Sequence, residues 1–214
     1  MHIGGVNSMR LLVFFIGCLI GLSGCGSSGN SVMEPVHESG LLHDQSILVG
    51  NEIRSYHLYL PENPSTAPIV FLLHGNGGSS DQLLGVSGSK APYKVWMDVA
   101  LRENIILVVP DGTLGSNGKK GWNDCRVDAS RNPDSDDVHF IGKLSNRIES
   151  NYSAGKPAVY AMGTSNGGMM VQRLADELPE SLKGIAMVVA ARPVNSQCAT
   201  SSVPLSVLVM YGTS

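Results

Sequence analysis

Gly163-Thr164-Ser165-Asn166-Gly167-Gly168 follows directly on the apolar run Ala158-Val159-Tyr160-Ala161-Met162. A buried strand that breaks into G-x-S-x-G and runs on into a helical pattern describes a nucleophile elbow. Such an elbow is a sharp turn that lifts one serine hydroxyl clear of the backbone. Glycines on both flanks permit the turn and let neighbouring elements approach closely. A serine hydroxyl is a weak nucleophile until a base and a fixed geometry activate it. The chemistry it then supports is acyl transfer, which also needs N–H donors for the developing oxyanion and a base held by an acid.

Ser165 supplies the nucleophile. The backbone N–H of Asn166, at the start of the following helix, supplies one oxyanion donor, and the positive end of the helix dipole adds to it. The second donor is expected from the glycine loop His74-Gly75-Asn76-Gly77-Gly78, as the N–H of Asn76 or Gly77. The base and acid are harder to place. In chains with this elbow an Asp or Glu and then a His follow the serine. The six histidines are His2, His37, His43, His57, His74 and His139, all upstream of Ser165. His139 is nearest in order and reads as a residue on a helix surface. The downstream acids Asp176, Glu177 and Glu180 lie on or just beyond the helix after Ser165, where acids are ordinary solvated groups. The sequence stops shortly after the strand that should deliver the acid, Val207-Leu208-Val209-Met210. The expectation is therefore a C-terminally truncated chain whose acid and base lie beyond Ser214. No cofactor is expected, because acyl transfer through serine needs none.

The elements that must position these groups are legible in outline. Residues 53–60 alternate as a strand, with Arg54, Tyr56, Leu58 and Leu60 on one side. Residues 69–73 and 105–109 are continuous apolar runs, as in strands buried on both faces. A helix is expected over about 94–103, with Val95, Val99 and Trp96 inward. A long polar loop carrying Trp122, Asn123 and Cys125 fills 113–135. Asp136 or Asp137 caps a helix with the apolar stripe Val138, Ile141, Leu144, Ile148 and Tyr152. Capping is preferred to a cation site at these two acids, since no other oxygen ligands cluster beside them. Met170, Leu174 and Leu178 form the core stripe of the elbow helix. Residues 185–189 and 205–210 complete the set of buried strands. Strands alternating with helices imply a doubly wound, mostly parallel sheet, in which ligands bind at the carboxyl ends of the strands. Both glycine loops and Ser165 fall at such ends.

The chain has 214 residues, 43% hydrophobic and 15% charged, with a formal net charge of −3. That suits one globular domain with a short tail. No basic run points to nucleic acid. Residues 1–24 read as a signal peptide: Arg10, a short glycine-containing apolar run, then Leu22-Ser23-Gly24-Cys25, which resembles a bacterial lipobox. That resemblance implies cleavage before Cys25 and lipidation of its thiol. Residues 25–45 then form a lipidated, flexible tether, and 46–214 a partial catalytic domain. Export implies an oxidising compartment. Cys18 leaves with the signal and Cys25 takes lipid, so Cys125 and Cys198 remain as a pair expected to form a disulfide, with two buried thiols as the alternative. No metal site is expected, since no Cys/His cluster accompanies them.

Taken in order, Leu72-Leu73-His74-Gly75, Val109-Pro110-Asp111-Gly112, Gly121-Trp122-Asn123, Asp136-Asp137-Val138 and the elbow string through Met170 resemble the secreted poly(3-hydroxybutyrate) depolymerase and feruloyl esterase group of α/β-hydrolases. The resemblance spans roughly residues 46–214. It implies an α/β-hydrolase fold, with the C-terminal strand and helix missing, and a triad of Ser165 with an Asp and a His beyond Ser214. By position His74 and Trp122 would line the substrate cleft. The plainer alternatives are a strand-ending turn for His74-Gly75 and a buried anchor of the long loop for Trp122. The implied activity is hydrolysis of a carboxylic ester, polymeric or aryl, at the cell envelope or outside it. The membrane would be met only through the lipid anchor. A peptidase on the same fold and a non-catalytic surface lipoprotein remain as competing readings.

Overall fold

The five residues of β3 (Ile69–Leu73) and of β4 (Ile106–Pro110) are buried throughout because both faces of these strands are covered. In the computed structural model, which describes residues 39–86 and 95–212, Ile69, Phe71, Leu73, Ile106 and Val108 face one core. Val70, Leu72, Leu107 and Val109 face a second. Alternate residues of one strand thus serve two layers, and this is why the sequence reads as an unbroken apolar run.

The first layer is built by α3 (Asp137–Tyr152) and α4 (Asn166–Glu177), which contribute Phe140, Ile141, Leu144, Ile148, Met170, Val171 and Leu174. The second is built by α1 (Ser80–Leu84) and α2 (Val95–Arg102) through Leu83, Leu84 and Ala100. Val95, expected to point inward, is exposed, while Trp96 and Met97 pack against the second core.

The sheet order is β1-β2-β4-β3-β7-β8-β9, with β1 (Gly40–Val49), β2 (Glu52–Leu60), β7 (Val159–Thr164), β8 (Gly184–Val188) and β9 (Ser206–Met210). The β1–β2 and β2–β4 pairs are antiparallel and the remaining pairs parallel. A doubly wound, mostly parallel sheet is thus present, as the alternation of strands and helices requires. At one edge β9 lies in register with β8 but has all five residues exposed, so it is an edge strand rather than a buried one.

Two expectations need correction. The stretch read as tether ends before residue 45, because β1 begins at Gly40. The register slips between Leu42 and Gln45, where Asp44 takes φ 48°, and this bulge breaks the period-2 pattern that would have marked the strand. The 113–135 loop is not featureless either. It contains a hairpin of β5 (Thr113–Leu114) and β6 (Lys120–Gly121). The Cys125–Cys198 disulfide is formed and ties this segment to the chain after β8. The residues read as a signal peptide, Cys25 and most of the stretch read as a tether lie outside the described residues.

Candidate active site

Ser165 stands between β7 and α4 with φ 53° and ψ −121°, a backbone conformation that non-glycine residues rarely adopt. Its N–H donates to Val188 O at 2.9 Å and its carbonyl accepts from Met169 N at 3.0 Å, while the residue itself is exposed. The flanking glycines are required by close approach. A Cβ on Gly163 would run into the Gly167 carbonyl, and one on Gly167 into the carbonyls of Leu73 and His74. Strand, loop and helix therefore meet at separations that only glycine permits.

Two sets of donors face this serine. Ser165 provides no side-chain cap for α4, so the first N–H groups of that helix, beginning with Asn166, are left for a ligand. The loop after β3 passes directly alongside: a Cβ on Gly75 would lie 3.3 Å from Thr164 O and 3.5 Å from the Ser165 Cβ. Of the two N–H groups expected there, that of Gly77 already donates to Lys120 O at 2.7 Å and is corrected out of the oxyanion set. Asn76 N–H has no acceptor among the described residues.

His74 and Trp122 do not line the cleft. Both are buried, at 1% and 0% exposure. Trp122 Nε1 donates to His74 O at 2.8 Å, and the two rings lie 5.1 Å apart. His74 Nε2 accepts from Gly112 N–H at 3.0 Å, which leaves the proton on Nδ1 to donate to Gly75 O at 2.8 Å. The buried-anchor reading holds for Trp122, and His74 acts as a staple behind the loop. Burial holds the His74 pKa below the ordinary histidine range, against smaller raising effects from Gly75 and Asp111. Because the folded pKa is depressed, the unfolded chain binds more protons as pH falls below about 6.5. The Tm should accordingly decline as pH is lowered through that value, and His74→Gln should flatten this part of the profile. An equal decline in both proteins would refute the assignment.

Asn166 has a second role through its side chain, which is 3% exposed. Its Oδ1 accepts from Trp122 N at 2.8 Å; its Nδ2 donates to Trp122 O at 3.0 Å and to Asp124 Oδ2 at 2.7 Å. Asp124 in turn holds Arg126 at 3.0 Å. Farther along, Asp137 accepts from Arg54 Nη2 at 2.8 Å, Asn123 N at 2.8 Å and Ser135 Oγ at 3.0 Å. Asn166 is thus locked to a loop that is itself locked to α3. Asp136 caps α3 through His139 N, and Asp137 serves the buried pair. Asp111 accepts from Ser80 N–H and Lys120 Nζ; burial alone would raise its pKa, but these donors outweigh it and hold the carboxyl below the usual range.

The chain is similar to several known proteins. No family model matches the chain. It is 33% identical over 129 residues to feruloyl esterase B of Neurospora crassa, covering 60% of this chain and 40% of that one. Feruloyl esterase D of the same organism is 25% identical over 173 residues, covering 78% and 54%. The chain spans about half or less of the length of these curated relatives. A carboxylesterase of Bacillus cereus superposes with a TM-score of 0.52 at 18% identity, covering 73% of this chain and 69% of that one. The fold is that of an α/β-hydrolase.

In this α/β-hydrolase sheet no imidazole or carboxylate among the described residues is hydrogen-bonded to Ser165 Oγ. His139 lies at the surface beside Asp136. Asp176 is held by Arg192 and Glu177 by Arg173. Glu177 also approaches the sulfurs of Cys125 and Cys198, but these are bonded to each other. Sequence reasoning missed Arg54, Asp124 and the side chain of Asn166, since each gains its meaning from a partner more than forty positions away or in a turn with no local signature.

Proposed function

We propose that this protein is a serine carboxylic-ester hydrolase that works through an acyl-enzyme. The observation carrying this reading is Ser165, held exposed at positive φ between β7 and a helix whose first N–H groups are uncapped. Ser165 Oγ attacks the ester carbonyl and passes its proton to a base. The N–H groups of Asn166 and Asn76 take up the charge that develops on the carbonyl oxygen. Each such donor typically contributes about 3–4 kcal/mol to the transition state. Collapse expels the alcohol and leaves the acyl group on Ser165, and water then releases the acid by the same route reversed. The relatives' names, feruloyl esterase in both cases, favour an aryl or short acyl ester on a larger alcohol. A hydroxyalkanoate polyester is the other substrate class consistent with the sequence. An exported protein anchored through Cys25 would suit a substrate too large to import.

The test is a panel given to the native protein: methyl ferulate, p-nitrophenyl acetate and butanoate, a 3-hydroxybutyrate trimer and a peptide anilide. Ester turnover with an initial burst of alcohol is expected. Hydrolysis of the anilide in preference to every ester, or of nothing in the panel, would sink the reading.

A further inference from the structure

Five non-glycine residues among those described have positive φ: Asp44, Asn104, Cys125, Ser165 and Val189. Asp and Asn tolerate this region because their short polar side chains bond locally. Cys125 is in the disulfide, and Ser165 is the elbow. Val189, at φ 50°, has none of these reasons. A β-branched residue there is a true outlier, in a conformation that glycine or asparagine adopts more readily. Core packing does not account for it, since Val189 is 62% exposed.

Its setting supplies the reason. Val188 O accepts the N–H of Ser165 at 2.9 Å, and Val189 N–H donates to Met210 O at 2.8 Å. The residue is therefore pinned just past the carboxyl end of β8, next to the residue whose carbonyl holds the Ser165 N–H. The left-handed turn lets the next residue, Ala190, at 3% exposure, settle against Gly168 in the first turn of α4. Val189 is left on the rim. One proposed oxyanion donor opens α4, directly after β7, and the other lies in the loop after β3, which β7 separates from β8. A carbonyl oxygen directed to them leaves another substituent of the ester facing β8.

Resting on the esterase reading above, we infer that Val189 is a specificity-determining residue whose isopropyl group forms a wall for the acyl chain of the substrate. The side chain is strained, exposed and branched aliphatic, it follows directly on the residue hydrogen-bonded to Ser165, and the acyl group of the proposed ester is the apolar part it would meet. Strain of this kind collects at sites where the surrounding structure holds a residue in place for function.

The experiment compares Val189→Asn and Val189→Ile with the native protein, using p-nitrophenyl acetate and butanoate so that the leaving group is constant. Val189→Asn relieves the strain, and its Tm should rise by about 2–4 °C. Its preference for butanoate over acetate, as a ratio of kcat/KM, should fall roughly fivefold, the scale of one to two methylenes losing apolar contact. Val189→Ile should keep the preference. A Val189→Asn ratio within twofold of the native one would overturn the inference, as would a change confined to the alcohol when methyl and butyl esters of one acid are compared. If the native protein hydrolyses neither ester, the esterase reading itself fails, a result distinct from active enzyme with unchanged selectivity.

Discussion

Ser165→Ala should lower kcat for every ester the native protein hydrolyses by about 10⁶-fold, the loss seen when an acyl-transfer nucleophile is removed. The fold should be untouched. Alanine at φ 53° carries the same backbone strain as serine, and no side-chain hydrogen bond of Ser165 is lost, since its hydroxyl does not cap α4. The Tm should therefore stay within about 2 °C. This pairing separates nucleophile from scaffold: turnover vanishes and melting does not move. More than one per cent of native activity in a preparation free of contaminating esterase would place the attacking group elsewhere.

The second large effect is on stability. Asp137→Ala should cost about 3–5 kcal/mol, because it leaves the Arg54 guanidinium, 4% exposed, buried without its carboxylate. It also strips the acceptor from Asn123 N–H. For a chain of this size the Tm should drop by about 10 °C. Burial pushes the Asp137 pKa up, and Arg54 and the Asn123 N–H oppose that shift, so the pair is in tension rather than a free gain in stability. A double variant, Arg54→Met with Asp137→Leu, should be more stable than Asp137→Ala alone, because replacing both charges removes the uncompensated one. Arg54 also lies 4.1 Å over the Phe140 ring, so the methionine retains an apolar contact there. Equal destabilisation by the double and single variants would show that packing rather than charge dominates.

The parts of this architecture that announce themselves in the sequence are those set by short-range pattern. β3, α3 and the elbow need only a few consecutive residues, and their apolar spacing or glycine placement has few alternatives. The sharp turn at Ser165 and the helix that starts behind it follow from the same string. What escaped was decided by distant partners. Gly77 was an equal candidate with Asn76 until Lys120 O, from a hairpin over forty positions on, claimed its N–H. Trp122 could equally have faced ligand or core. Its indole N–H finds the carbonyl of His74, which settles it as core. β1 was hidden by a bulge, and Val189 by the fact that strain leaves no trace in residue type.

The order of the strands bears on when the site comes into being. β3 pairs with β7 from Ile69 opposite Val159 to Leu73 opposite Gly163, so the two segments that meet at Ser165 are about ninety positions apart in the chain. Pairings of such separation form late, after a costly loop closure, and they slow folding. The unusual backbone of Ser165 is held by Val188 and Met169, and Gly167 fits only against the ends of Leu73 and His74. A newly made chain therefore has only the Met169 contact at hand to shape Ser165, and the contacts with Val188, Leu73 and His74 must come from distant strands. A peptide spanning 159–177 would relax at Ser165, and reactivity would be acquired only in the final cooperative step of folding.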